Sequence, residues 1–203
     1  MIKCNVTACG IISNSAVERQ SKEGNPFLSF SITIPIVGSD GSGAELQVFV
    51  SAPGDKETMG QYSTGRKVKV NGILYIRKLD DHTYYNLRSD GGIEFVKSTE
   101  EDALTGSMEF KGKIKGDITE RTNKNGHKFQ TFSAVSQDKD GEKVGWLWVR
   151  FLTPTPVEQP FFRPEAYVAI KGELRLHVYQ NNVNIECRTS SIEAWDLPAA
   201  QND

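Results

Sequence analysis

Apolar and polar residues alternate with a period of two along most of the chain, a pattern typical of strands that bury one face. In the first half this alternation covers residues 28–34 and 46–50. A polar segment, 53–65, then has room for one short helix. Residues 68–77 and 83–88 follow as a hairpin whose turn is predicted at 79–82. The pattern therefore predicts three strands, a short helix and two further strands.

The second half of the chain repeats the first. Seven residues meet an identical residue 102 positions later: Gly10, Ile12, Glu18, Arg19, Phe27, Phe30 and Ser31 pair with Gly112, Ile114, Glu120, Arg121, Phe129, Phe132 and Ser133. The offset then falls slowly, so that Gly72 meets Gly172 and Ile93 meets Ile192. A slowly drifting offset with matched glycines is what duplication of one structural unit leaves behind.

The repeat predicts two domains, at 1–97 and 106–198, joined by the polar segment 97–102. The second unit follows the same scheme, with turns predicted at 124–127 and 180–182. Five strands with a helix after the third, in a unit of this length, indicate the oligonucleotide-binding (OB) barrel, a five-stranded Greek-key fold. We therefore expect an all-β protein of two tandem OB barrels, each with a short helix.

Composition limits the classes of function. The net charge is −2, so any site for a polyanion must be a local basic patch. No apolar run is long enough to cross a membrane and no signal peptide opens the chain, which favours a cytoplasmic protein. The three cysteines, Cys4, Cys9 and Cys187, lack the paired spacing of zinc ligands, and we expect reduced thiols in the core.

The strand at residues 146–151 carries the most distinctive chemistry. Leu147, Val149 and Phe151 hold the core register, which places Trp146, Trp148 and Arg150 together on the opposite face. Aromatic rings stack on nucleobases without demanding a sequence, and arginine binds phosphate. Packing of these rings under a loop or at a subunit interface is the alternative.

Further outward positions interleave cations with aromatic rings in both units. The hairpin of the second unit contributes Arg175, His177 and Tyr179, and that of the first contributes Tyr75, Arg77, Lys78, Tyr84 and Arg88. Phe49 occupies the position of the first unit that is equivalent to Arg150, and Phe27 and Phe129 leave the core register in both copies. Lys111, Lys113 and Lys115 form a basic stripe, for which an ordinary solvated lysine face is the alternative. All these residues except Lys115 are candidate nucleic-acid contacts.

Several of these segments resemble the bacterial and phage single-stranded DNA-binding protein family. The similarity lies in Tyr62, Gly65, Arg66, residues 68–72, Leu74, Arg77, Lys78, Tyr84 and Tyr85, and in the tryptophan-bearing strand within 142–151. The resemblance implies base stacking on Trp146, phosphate contacts from Arg77, Lys78 and Arg175, no sequence specificity and no catalysis. Family members commonly assemble four OB folds, so two tandem copies imply a homodimer that acts with replication proteins.

The sequence departs from the family in two ways. It carries two OB units instead of one, and its last residues, 195–203, lack the glycine-rich, acidic-tipped tail of a typical bacterial member. These departures favour a phage or mobile-element form, or a divergent accessory protein, over the main cellular protein of the family.

Two functions remain open at the level of sequence. The first is sequence-tolerant binding of single-stranded DNA, with RNA as a further ligand, in replication or recombination. The second is a protein-interaction OB module that uses the tryptophan face to hold a partner in a replication or conjugation complex. We expect no enzyme activity, metal or cofactor, because the three histidines form no ligand-spaced pair and no glycine-rich phosphate loop precedes a helix.

Overall fold

A computed structural model describes residues 2–38, 41–79, 82–140, 143–180 and 182–196. Its elements, in chain order, are β1 (Ile2–Gln20), β2 (Pro26–Val37), β3 (Gly43–Ala52), α1 (Lys56–Met59), β4 (Lys67–Leu79), β5 (His82–Phe95), β6 (Ala103–Thr122), β7 (Lys128–Asp140), β8 (Lys143–Thr153), β9 (Tyr167–Tyr179) and β10 (Asn182–Ala194). The predicted turn residues Asp80, Asp81 and Asn181, the strand residue Glu142 and the predicted domain end at 198 lie outside the described residues. Among the described residues, no helix is long and apolar enough to span a membrane.

Strand pairing closes two five-stranded barrels. In the first, β1 pairs with β4 along its N-terminal half and with β2 along its C-terminal half, while β3 pairs with β2 and, in parallel, with β5. In the second, β6 pairs with β9 and β7, and β8 pairs with β7 and, in parallel, with β10. The expected all-β fold of two tandem OB barrels is confirmed by this strand order.

The predicted core residues are buried. The alternating residues Leu28, Phe30, Ile32 and Ile34 of β2 all face the first barrel's interior, and Phe151 stacks against Phe132 in the second, with ring centroids 5.1 Å apart. The three cysteines are free and buried, as predicted. Burial raises the pKa of the Cys4 and Cys187 thiols to about 12, so neither is a nucleophile at neutral pH.

The predicted short helix forms in the first barrel, where Asp55 caps α1. The Asp55 carboxylate accepts hydrogen bonds from the backbone N–H groups of Glu57 and Thr58, and these bonds lower the pKa of the carboxyl. The corresponding segment of the second barrel, residues 154–166, consists of turns and bends instead. It contains Pro154, Pro156, Pro160 and Pro164, and proline at this density prevents a helical hydrogen-bond ladder.

Strands β1 and β6 join the barrels, and their register is symmetric under the internal repeat. Asn5 pairs with Ser107, its own equivalent at an offset of 102. Ile2 pairs with Phe110 and Ala8 with Leu104, so the repeat exchanges one pair for the other. The two halves of the chain thus meet as two subunits of an isologous dimer do.

The hairpin of the first barrel also packs against the second. Arg77 Nε lies 3.2 Å from Asp138 Oδ2 in β7. The Lys78 carbonyl lies over Gly145 in β8, where an added Cβ would be only 1.6 Å from the carbonyl oxygen. Glycine is therefore required at 145 because the backbone of the other barrel occupies the place of a side chain.

A buried lysine holds the connection between the barrels. Lys67 opens β4, and its ammonium lies 3.1 Å from Asp102 Oδ1 and donates a hydrogen bond to the Glu100 carbonyl. The side chain of Lys67 is 7% exposed and that of Asp102 is 23% exposed. The pair therefore ties residues 100–102 to the wall of the first barrel.

We expect Asp102→Ala to lower the free energy of unfolding by about 2 kcal/mol, because the substitution leaves a buried ammonium without its carboxylate. Chemical denaturation of the full chain measures the change. Glu101→Ala, at an exposed neighbouring position, is the control. The double variant Lys67→Met, Asp102→Ala should recover part of the loss, and an equal or larger loss in the double variant would contradict this role for the pair.

Candidate functional site

The outward face of β8 is a stripe of large exposed side chains. Trp146 and Trp148 are 50% and 56% exposed, although their neighbours Leu147, Val149 and Phe151 are buried. Arg150 continues the stripe, and Leu152 follows it on the same face. We call Trp146, Trp148, Arg150 and Leu152 the β8 stripe. The strict alternation of β8 produces it, since each residue that enters the core turns the next one outward.

The hairpin β9–β10 supplies a second row beside the stripe. Arg150 pairs with Glu186 across the parallel β8–β10 contact, and Glu186 pairs with Arg175 in β9. His177 and Tyr179 follow Arg175 on the same face of β9, and Tyr179 is 63% exposed. The structure therefore brings the candidates on β8 and β9 onto one surface.

The cations of this surface have carboxylate neighbours. Arg175 Nη2 lies 3.0 Å from Glu173 Oε2, and Arg150 Nε lies 3.9 Å from Glu186 Oε2. Both arginine side chains are about half exposed, at 43% and 51%. Ion pairs of this exposure contribute little to stability, so an anionic ligand can replace the carboxylates at low cost.

Two equivalent loops stand at the same end of each barrel. In the first, Ser21 N–H donates to the Asn25 carbonyl and Gly24 N–H donates to the Ser21 carbonyl. In the second, Asn123 N–H donates to the His127 carbonyl, and Gly126 N–H donates to the Asn123 carbonyl. Gly24 and Gly126 have φ of 82° and 80°, a left-handed conformation that glycine adopts without strain. The second loop confirms the turn predicted at 124–127.

Each loop forms one side of a cleft, and the end of the third strand and the last hairpin form its other sides. The first cleft has a volume of about 650 Å³, and it includes Phe27, Pro53, Tyr75, Asn86 and Arg88 in its lining. The second has a volume of about 450 Å³ and is lined by Asn123, His127, Lys128, Phe129, Leu152, Pro154, Arg175 and Arg188. Leu152 ends the β8 stripe, so the stripe runs directly into the second cleft.

The two clefts share a common set of residues. Phe27 in the first cleft corresponds to Phe129 in the second, and Pro53 corresponds to Pro154. Arg88 likewise corresponds to Arg188 at an offset of 100. Within the described part of the chain, neither guanidinium has an ion pair or a hydrogen bond. Two unpaired arginines at one repeated position are suited to bind an anion.

Arg188 was absent from the sequence-predicted set, as were Lys128 and His127. The internal repeat carried the signal for Arg188, because an offset of 100 aligns it with Arg88. No pattern within the loop could have identified Lys128 or His127, since their place in the cleft depends on the position of the loop relative to β9 and β10.

The first barrel gathers only part of its predicted residues. Phe27, Tyr75 and Arg88 line its cleft, and Phe49 lies in the same cross-strand row as Tyr75, through Asn86. Tyr84 is exposed farther along β5. Arg77 and Lys78 lie where the hairpin meets the second barrel, at Asp138 and Gly145. Their role as phosphate contacts stays a prediction.

The predicted lysine stripe on β6 lies outside both clefts. Lys113 and Lys115 both bind Glu165, at 2.6 and 2.8 Å. The hydrogen bond to Glu165 raises the pKa of Lys113, and the same contact lowers the pKa of Glu165. Lys111 Nζ lies 5.8 Å from the ring centroid of Trp195. Strand β7 separates this group from the β8 stripe, and its part in binding stays a prediction.

Solved single-stranded DNA-binding proteins have similar backbones. The wild-type protein from Thermus aquaticus matches with a TM-score of 0.49 and 13% identity, covering 100% of this chain and 97% of that chain. The small protein from Streptomyces coelicolor has a TM-score of 0.37 and 17% identity, covering 49% of this chain and 95% of that chain. The mitochondrial protein from S. cerevisiae has a TM-score of 0.34 and 18% identity, covering 43% of this chain and 91% of that chain.

The sequence itself matches no protein-family model and no curated protein. The assignment of the fold therefore rests on the chain's own strand order and pairing.

Proposed function

We propose that this protein binds single-stranded DNA without sequence preference, and that it protects single strands during replication or recombination. The observation that carries the proposal is the β8 stripe, in which two half-exposed tryptophans and Arg150 lead into a cleft holding Arg175 and Arg188. Large exposed rings beside exposed cations supply the two features that a single strand requires, stacking surfaces for bases and positive charge for phosphates.

The chemistry of the stripe predicts sequence tolerance. Trp146 and Trp148 offer ring faces, and every base can stack on a ring face. The cations Arg150 and Arg175 bind phosphates, which are the same at every nucleotide. A bound duplex would have its bases already stacked inside, so it should compete poorly.

The division of the chain belongs to the same proposal. We treat 1–97 and 106–198 as two domains, each a barrel with its own cleft, and the residues between them as the connection held by Lys67. A homodimer that presents four barrels, association with replication proteins and origin in a phage or mobile element are further parts of the proposal that follow from the resemblance noted above.

The direct test is a fluorescence titration with oligo-dT. Binding should quench the emission of Trp146 and Trp148, and the affinity should fall as salt rises, because phosphate binding releases counterions. A variant with Trp146→Phe and Trp148→Phe is the matched control. This variant retains Trp195, whose ring packs edge-on against that of Tyr167 with centroids 6.0 Å apart. The emission of the variant should therefore change far less when oligo-dT is added. Unchanged wild-type emission and no binding at low salt would contradict the proposal.

One observation favours a second function, that of a protein-interaction module. Val144 is 43% exposed at the start of β8, so the face begins with three apolar side chains, Val144, Trp146 and Trp148. Exposed apolar patches are typical of protein interfaces. A partner that is retained at a fixed stoichiometry after nuclease treatment, and is lost when Trp146 and Trp148 are changed to alanine, would support this function.

A further inference from the structure

The two clefts differ at one central position. Tyr75 lies in β4 opposite Asn86, and Arg175 lies in β9 opposite Glu186, at the equivalent place in the repeat. Each side chain lines its own cleft. An aromatic ring in one barrel is thus replaced by a guanidinium in the other, while the arginines at 88 and 188 are kept.

The surrounding residues strengthen this contrast. The first cleft combines the rings of Phe27 and Tyr75 and contains two cations, Lys22 and Arg88, with the carboxylate of Glu23. The second cleft contains the Phe129 ring, the His127 imidazole and three cations, and no carboxylate is among the described residues that line it. The three cations are Lys128, Arg175 and Arg188. The first cleft therefore has the larger benzene-ring surface, and the second has the larger positive charge.

The cations of the second cleft are exposed and only lightly engaged. Lys128 binds Glu120 at 2.8 Å and Arg175 binds Glu173 at 3.0 Å, with both carboxylates outside the cleft. Arg188 has no ion pair within the described residues. Each of the three side chains can donate hydrogen bonds to phosphodiester oxygens, and charge-assisted bonds from an arginine fork are stronger than neutral ones.

We propose that the barrels divide the recognition of one single strand, the first cleft holding a base and the second holding the sugar–phosphate backbone. The inference rests on the proposed function and deepens it. In the first cleft, the contribution of Tyr75 to binding comes from ring stacking and is nearly independent of salt concentration. Binding in the second depends on charge and responds steeply to salt.

Two probes of equal length separate these contributions, an oligo-dT and an abasic deoxyribose–phosphate oligomer that carries no bases. Binding is measured by anisotropy of a labelled probe, at several salt concentrations, with the full chain. We expect Arg175→Gln to weaken both probes and to reduce the slope of log affinity against log salt by about 0.7. We expect Tyr75→Ala to weaken oligo-dT about ten-fold, with the slope and the abasic probe unaffected.

Two matched controls accompany these variants. Tyr75→Phe keeps the ring and should keep the affinity for oligo-dT. Arg163→Gln removes an exposed arginine that lines neither cleft, and should leave the slope unchanged. Thermal unfolding of each variant shows whether the barrels remain folded, and the salt slope of Arg175→Gln tests the inference even where Tyr75→Ala is unstable.

The outcomes distinguish this inference from the function on which it rests. If the wild-type chain binds neither probe, the proposed function is wrong and the division falls with it. If the wild-type chain binds oligo-dT but Tyr75→Ala weakens the abasic probe equally, the division alone is wrong. An unchanged salt slope in Arg175→Gln would overturn it in the same way.

Discussion

Replacing Trp146 and Trp148 together by alanine should weaken the binding of oligo-dT at least about 30-fold. Stacking of a base on an aromatic ring contributes about 1–3 kcal/mol per base, and the double variant removes two rings. Both side chains are at least half exposed, so their loss leaves the core of the second barrel intact. Anisotropy of a labelled oligomer at low salt measures the change.

The control for this variant separates ring stacking from the folding of β8. Phenylalanine at both positions keeps aromatic faces on the stripe, and the affinity should stay within a few-fold of the wild-type value. The melting temperature of the alanine variant should match that of the wild-type chain. An alanine variant that is folded and binds oligo-dT as tightly as the wild type would show that the stripe serves another ligand.

Changing Gly172 to alanine should destabilise the second barrel by about 3 kcal/mol, near the upper end for overpacking a tight site. A Cβ at this position would lie 2.3 Å from the Arg188 carbonyl oxygen and 2.6 Å from Cys187 Sγ. The obstructing atoms include backbone of the neighbouring strand, which cannot move away as a side-chain end can. Because the same backbone carries Arg188, the substitution should also disturb the second cleft.

Thermal and chemical unfolding of the full chain measure this effect. Gly43→Ala is the matched control, because Gly43 also lies in a strand but a Cβ there would have its nearest neighbour at 3.9 Å. Gly72→Ala in the first barrel should behave like Gly172→Ala, since its Cβ would lie 2.2 Å from the Arg88 carbonyl oxygen. Equal stability of Gly172→Ala and Gly43→Ala would contradict this explanation of the repeated glycines.

The sequence by itself determined the elements and the sides on which their residues lie. Alternation is a local property of a strand, so the burial of Leu147 and the exposure of Trp146 and Trp148 follow from their order along β8. The internal repeat predicted two barrels because each half repeats the same order of strands, with glycines at matched positions. It also contained the equivalence of Arg88 and Arg188. The short helix predicted for the second barrel was wrong, because four prolines at 154–164 prevent a helical hydrogen-bond ladder there.

The tertiary structure alone decided which distant residues meet. Closing each barrel brings the loop between its first two strands against its third strand and last hairpin, and this long-range contact creates the clefts that include Arg188. Arg77 and Asp138 are remote in sequence and come together only because the β4–β5 hairpin packs on the other barrel. Glu165 similarly reaches Lys113 through the path of the loop before β9. Periodicity specifies a side chain's face, whereas its neighbours depend on how strands far apart in the chain are paired.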